Sequence, residues 1–377
     1  MSGKIYIDYA ATTPLDDDVL KVMKPYFSEK FYNPSANYLD AKKLRKEVDE
    51  ARKKVAFWLG AKQTEIIFTA GGTEANNLAI NGIMQKYPEA EILVSSVEHD
   101  SVLIPAEKYA SKQIKVDKTG RIDLEDLKKK ISDKTVLVSV IYANSEIGTI
   151  EPIKDVAKIV NAERSRRKNE LPIYLHTDAC QAANYLDLHV SRLGVDLLTI
   201  NGGKIYGPKQ SGFLFVKSGI KINPQIFGGG QERGIRSGTE NVPAIIGLSE
   251  ALDKAQKMKR EESERLSELQ AYFFDQLQKS ISKALVNGSL KNRLPNNLHF
   301  TLPGEDNERL LFALDEEGIM AAAGSACSAS SDTPSHVLKA IGLSDEEARS
   351  SLRFSMGRSS KRADIDRIIH SLKKFTS

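Results

Sequence analysis

The chain has 377 residues, enough for about two domains of ordinary size, and at 41% hydrophobic and 28% charged it has the make-up of a soluble globular protein. Its 54 basic and 50 acidic residues leave a formal charge of +4, too small an excess to argue for a nucleic-acid partner, and no apolar run approaches the roughly 20 residues that span a bilayer. The two cysteines, Cys180 and Cys327, lie far apart without zinc or CxxC spacing, which argues against a disulfide framework or structural metal and makes the cytoplasm the expected compartment.

Lys4 leads directly into a strand-like Ile5-Tyr6-Ile7, leaving no room for a signal peptide. Apolar residues at helical spacing (Leu39, Leu44, Val48, Ala51, Val55, Leu59) predict a helix over 38–59, with Gly60 as its C′ residue. A short strand over 65–69 runs into Ala70-Gly71-Gly72-Thr73 and a second helix over 74–84. From there strands and helices alternate: strand 92–97, helices 102–110 and 123–131, strand 135–142, helix 153–166, strand 173–177, then strands from Val195 and Gly212. The basic run Arg164 to Lys168 reads as a solvated helix end, since no aromatic residues interleave with it. Such alternation marks an α/β fold with a mostly parallel sheet, whose ligands sit beyond the carboxyl ends of the strands. Those ends carry Gly72-Thr73, Glu98-His99, Asn144, Asp178 with Gln181, and Lys204. After Val242 the pattern becomes a long charge-rich helical stretch reaching about Leu285, in two pieces or as one bent helix. A strand (298–302), a helix (308–317) closed by Gly318, an Ala/Ser/Gly-rich loop (321–331), a helix (335–341), a strand (352–355) and a last helix (363–375) then predict a smaller α+β domain.

Chemistry concentrates at the strand ends. Lys204, wrapped in glycines in Asn201-Gly202-Gly203-Lys204, reads either as a surface lysine in a turn or as an amine of lowered pKa able to form a Schiff base. Gly71-Gly72-Thr73 offers backbone N–H groups, a hydroxyl and the positive end of a helix dipole, an anion site suited to phosphate, with a plain tight turn as the alternative. Its spacing fits neither a Walker loop nor the GxGxxG dinucleotide pattern. Asp178 closes a buried strand and needs a cation, unless it caps the next helix; a protonated pyridine nitrogen is the cation that suits a nearby Schiff-base lysine. His99 is a candidate at another strand end, a structural role being its alternative. In Gly324-Ser325-Ala326-Cys327, Cys327 reads as an accessible thiol on a mobile loop, whereas Cys180 suits a small buried position. Arg353 and Arg358 bracket a strand, and arginine either captures a carboxylate in bidentate fashion or serves a salt bridge.

In this order the segments resemble the cysteine desulfurases of the NifS/IscS group, within the class V aminotransferase family of pyridoxal-phosphate enzymes. The resemblance runs nearly end to end: Asp8-Tyr9-Ala10-Ala11-Thr12-Thr13-Pro14, Asn33-Pro34-Ser35, Gly72-Thr73-Glu74-Ala75-Asn76-Asn77, Glu98-His99, 144–148, 178–181, 204–209, Arg236-Ser237-Gly238-Thr239, Gly324-Ser325-Ala326-Cys327 and 353–358. It implies a fold-type-I transferase with a large cofactor-binding domain over 15–255 and a small domain over 1–14 and 256–377. Pyridoxal 5'-phosphate would be joined to Lys204, its ring nitrogen paired with Asp178, its phenolic oxygen bonded by Gln181 and its face stacked by His99. Gly72 and Thr73 would hold the phosphate, joined by Thr239 from the other subunit of a homodimer. Asn144 would lie beside the cofactor near the substrate carboxylate, which Arg353 would clamp. Cys327 would take the sulfur, with no resident metal and at most a transient iron–sulfur contact through that thiol. The family's lysine motif usually reads Ser-x-His-Lys, so Asn201 replaces a phosphate-binding hydroxyl with an amide that still donates, and Gly203 removes a histidine from the cofactor site. Tyr38 stands where a histidine is frequent, and Cys180 where threonine or valine is frequent.

The implied reaction converts L-cysteine to L-alanine. Lys204 removes the Cα proton, and the Cys327 thiolate takes the sulfur as a persulfide for an acceptor or scaffold protein of iron–sulfur cluster assembly or tRNA thiolation. No membrane or direct nucleic-acid partner is expected. The alternatives are a selenocysteine lyase or aminotransferase on the same scaffold, and a low-activity sulfur carrier that merely binds the cofactor.

Overall fold

Two packed units emerge in the structure, a computed structural model that describes residues 3–167, 171–324 and 334–376. In chain order the strands are β1 (Ile5–Tyr6), β2 (Ile66–Thr69), β3 (Glu91–Ser95), β4 (Ala110–Ile114), β5 (Thr135–Ser139) and β6 (Tyr174–Asp178). After them come β7 (Leu197–Asn201), β8 (Gly212–Val216), β9 (Leu285–Val286), β10 (Asn297–Thr301), β11 (Ile319–Met320) and β12 (Ser351–Ser355). Seven make one sheet in the order β2-β8-β7-β6-β5-β3-β4. β8 runs antiparallel to both neighbours, and the other pairings are parallel. This is the α/β, mostly parallel architecture read from the sequence. Because β2 and β7 both oppose β8, they share a direction, and the carboxyl ends of β2, β3, β5, β6 and β7 meet at one sheet edge.

The unbroken apolar runs of β5 and β8 follow from burial on both faces. One face packs against the helices Leu39–Leu59, Ile153–Arg166 and the start of Val242–Ser280, the other against Gly72–Met84 and Asp100–Ala106. Gly60 closes the first of these helices in the left-handed conformation, as its position predicts. The helix expected over 102–110 stops at Ala106 instead, one residue after Pro105, and Ala110 opens β4. β4 lies at the sheet edge, pairs only with β3 and is mostly exposed, so Ser111, Lys112 and Gln113 give it no apolar signature.

The second unit is the antiparallel set β9-β10-β12, flanked by the parallel pair β1-β11 and the C-terminal helix Arg362–Phe375. Phe273, Phe300 and Phe354 form its centre, with ring centroids 5.3 to 6.1 Å apart. Ile5 and Ile7 pack in this core, so the first strand of the chain joins the last elements. The stretch expected in two pieces or as one bent helix is a single 39-residue helix, Val242–Ser280, that ends before Leu285 enters β9. Its Leu248, Ala251 and Ala255 lie in the large core, and its Leu266, Phe273 and Leu277 in the small one. We propose the division at about residue 255 as the domain boundary on this ground.

The basic run after residue 163 is not a freely solvated helix end. Arg164 reaches Asp196 at 2.5 Å, while the buried Arg167 side chain binds Glu163 and the carbonyls of Ser132 and Thr135. Lys168 lies outside the described residues.

Candidate active site

Each strand end delivers its residue for a local reason. Gly71, at φ 146°, turns the chain from β2 into the helix Gly72–Met84. The N–H groups of Gly72, Thr73 and Glu74 find no acceptor among the described residues, as the first turn of a helix requires unless an anion supplies one. A side chain at Gly72 would put its Cβ 2.8 Å from Cys180 Sγ and 3.3 Å from Asn201 Cβ, so only glycine lets the ends of β6 and β7 close on this turn. Asn201 Oδ1 accepts from Gly203 N at 2.9 Å, which leaves Asn201 Nδ2 on the side of Gly72.

Asp178 is buried at the end of β6. Its Oδ2 accepts from Asn76 Nδ2 at 2.7 Å and its Oδ1 from Cys180 N at 2.9 Å. No ion pair joins it to a cation among the described residues. Two residues earlier on the same strand face, His176 is wholly buried between Ser139 Oγ and Thr199 Oγ1; burial pushes its pKa down to about 4, so it brings no positive charge. The Asn76 amide also reaches Ser101 Oγ at 2.8 Å, and that hydroxyl lies 2.9 Å from His99 Nδ1. Nδ1 accepts from Ser101 N as well, which places the ring's N–H on Nε2. A hydrogen-bonded chain thus runs from His99 through Ser101 and Asn76 to Asp178.

Lys204 lies in the turn after β7. Its Nζ donates to Ala10 O at 2.6 Å and Ala11 O at 2.8 Å, and Gln181 Nε2 donates to the same Ala10 carbonyl at 2.9 Å. Gly203 O accepts from Thr13 N and Thr13 Oγ1, fastening the N-terminal segment over the lysine turn. Beside the bare Gly203 runs the Lys209 side chain, whose Cδ would lie 3.2 Å from an added Cβ. Lys209 Nζ donates to Thr13 O, and burial lowers its pKa.

Arg353, from β12, is fully buried; its Nη2 meets Asp8 Oδ1 at 2.7 Å and its Nη1 lies 3.3 Å from Ser145 O. Next to it, Asn144 ties the end of β5 to that of β3. Nδ2 donates to Val97 O at 2.9 Å, and Oδ1 accepts from Glu146 N and Ile147 N, leaving one amide hydrogen. Arg358 does not join this group: it pairs with Asp16 and stacks on Tyr206.

Cys327 lies outside the described residues, but the chain on either side converges here. Ala322 O accepts from Arg353 N, Ser335 Oγ donates to Glu146 Oε2 at 2.6 Å, and a Cβ added at Gly324 would lie 3.5 Å from the same carboxylate oxygen. Thr239 is exposed in a cleft with Thr69, Ala70 and Arg236, and among the described residues no hydrogen bond joins it to Gly72 or Thr73. Its expected role belongs to a second copy of the chain and stays a proposal. Sequence reasoning gave no role to Asn76, Ser101 or Asp8, although an asparagine on the buried face of a helix signals a partner waiting for it.

A family model, aminotransferase class-V, matches residues 5–368. The chain is 44% identical to cysteine desulfurase IscS of Dictyoglomus turgidum over 382 residues, covering 100% of this chain and 95% of that protein. It is 42% identical to cysteine desulfurase IscS 1 of Archaeoglobus fulgidus over 375 residues, covering 97% and 95%. Among solved structures, a NifS-like protein superposes with a TM-score of 0.91 at 30% identity, covering 99% of each chain. A NifS-like protein from Rickettsia africae gives 0.88 at 30% identity, again covering 99% of each.

Proposed function

Because the chain belongs to the class-V aminotransferase family, we propose that the cluster at the sheet edge is a pyridoxal 5'-phosphate site. Its reaction is cysteine desulfuration, in keeping with full-length relatives of that name. One observation above all supports the cofactor assignment: Asp178 is a buried carboxylate held, among the described residues, only by neutral donors, an arrangement that asks for a cation from outside the protein. A protonated ring nitrogen is such a cation. The N–H groups of residues 72–74, without an acceptor among the described residues, and Asn201 Nδ2 suit a phosphate, and Lys204 and Gln181 share one acceptor nearby, so the residues present fit the group.

When bound, the cofactor would supply an aldehyde carbon for the substrate amine and an electron-withdrawing ring for the charge at Cα. Asp178 would hold the ring nitrogen in its protonated form. His99 would stack on the ring face, and its proton on Nε2 keeps that edge a donor. Lys204 Nζ leaves the carbonyls of Ala10 and Ala11 and takes the Cα proton. Arg353 and the remaining amide hydrogen of Asn144 hold the carboxylate. Cys327, as thiolate, attacks the substrate sulfur: an S–S bond forms, the Cβ–S bond breaks, and L-alanine leaves once Cβ has taken up a proton and Lys204 has returned one to Cα. The persulfide then passes to an acceptor protein, in iron–sulfur cluster assembly or tRNA thiolation.

The test is to mix the cofactor-loaded protein with L-cysteine and quantify products. L-Alanine and protein persulfide in equal amounts are expected. A keto acid in their place would make the protein an aminotransferase.

A further inference from the structure

We propose that Asp8 is a positioning residue for the substrate: it holds the Arg353 guanidinium while no substrate carboxylate is present and yields it when one arrives. The inference rests on the reading of Arg353 as the carboxylate-binding residue. Asp8 Oδ1 takes Arg353 Nη2 at 2.7 Å, while Arg353 Nε has no partner among the described residues. Both bidentate edges of a guanidinium, Nη1 with Nη2 and Nε with Nη2, use the nitrogen that Asp8 occupies. An arriving carboxylate therefore either replaces Asp8 or lies against it, and in both cases the Asp8 charge opposes binding.

The partner able to move is Asp8, whose side chain keeps 18% of its surface in solvent against 2% for Arg353. Arg353 is anchored independently by its place in β12, between Ala322 O and its cross-strand partner His299. Neither His299 nor Tyr6 can take over as counter-ion. His299 is wholly buried and neutral, its pKa pushed down to about 3 by burial and by Arg293 and Arg353. Tyr6, whose hydroxyl donates to Asp8 O at 2.9 Å, keeps its proton because burial and the Asp8 charge raise its pKa to about 12. Asp8 is also continuous with the carbonyls at residues 10 and 11 that hold Lys204, so one short segment attends both Lys204 and Arg353.

Asp8→Asn keeps an oxygen for Arg353 Nη2 and removes only the charge. In the cofactor-loaded enzyme, KM for L-cysteine and the dissociation constant of L-alanine are expected to fall roughly tenfold, the order carried by one charge-assisted hydrogen bond. Asp8→Ala is expected to shift both in the same direction, so the outcome does not hang on one variant folding. Unchanged or raised values in both variants overturn the proposal. Arg353→Lys separates the two readings: if it raises KM while the Asp8 variants do not lower it, only the role of Asp8 fails, and if it leaves KM unchanged, the carboxylate assignment fails first.

Discussion

Asn76 Nδ2 donates to Asp178 Oδ2 at 2.7 Å, so the helix that begins at the phosphate turn also holds the carboxylate at the end of β6. One helix thereby sets the distance between the two groups that would grip opposite ends of the cofactor. Neither partner is exposed, and the amide oxygen of Asn76 has no acceptor role among the described residues.

Removing that donor should weaken cofactor binding more than folding. For Asn76→Ala, titration of the apoprotein with pyridoxal 5'-phosphate is expected to give a dissociation constant about ten- to a hundredfold higher, the range for one hydrogen bond to a charged group. A constant equal to that of the parent would remove Asn76 from the site.

Gly72→Ala brings a methyl group to within 2.8 Å of Cys180 Sγ. We expect a loss of about 1–3 kcal/mol in unfolding free energy from overpacking, measured by urea denaturation. Combining it with Cys180→Ala should recover part of that loss, since the sulfur is the clashing atom; strictly additive losses would place the strain elsewhere.

Glu151 offers a stability signature in pH. It is buried, and burial pushes its pKa from the ordinary 4.5 up to about 8. Between those values the folded protein retains a proton that the unfolded chain releases, so its contribution is fully present below pH 4.5 and lost as pH rises through 8. Glu151→Gln has no such loss. The stability of the variant relative to the parent should grow across that window to on the order of 4 kcal/mol. A difference that stays flat from pH 5 to pH 8.5 would show that Glu151 is ionised throughout.

Two thiol and amine substitutions divide binding from sulfur transfer. Cys327→Ser should keep the yellow colour of the bound cofactor yet form neither persulfide nor alanine. Lys204→Ala should lose the covalent attachment, so that borohydride reduction leaves no cofactor mass on the chain. Full activity in the first variant, or a retained cofactor mass in the second, contradicts the role assigned.

The repeating apolar strands and their polar ends were legible because burial on both faces of a parallel sheet writes long Val/Ile/Leu runs, and chemistry collects where those runs stop. Lys204, Asp178 and Gly72 stand at such stops. β4 was not legible, since an exposed edge strand carries Ser111, Lys112 and Gln113 and follows a helix without a break in polarity. Asn76 and Asp8 were hidden for another reason. Their significance lies in partners 102 and 345 residues away, and no local pattern encodes a pairing made by the closing of the fold.

The helix Val242–Ser280 threads both cores with 39 residues, about 60 Å at 1.5 Å per residue. A rod supported at each end by a different core cannot lose one support without exposing the apolar stripe it buried there. Heating should therefore melt the large and small units together in one calorimetric peak, and the geometry between the lysine on one unit and the arginine on the other persists up to that temperature.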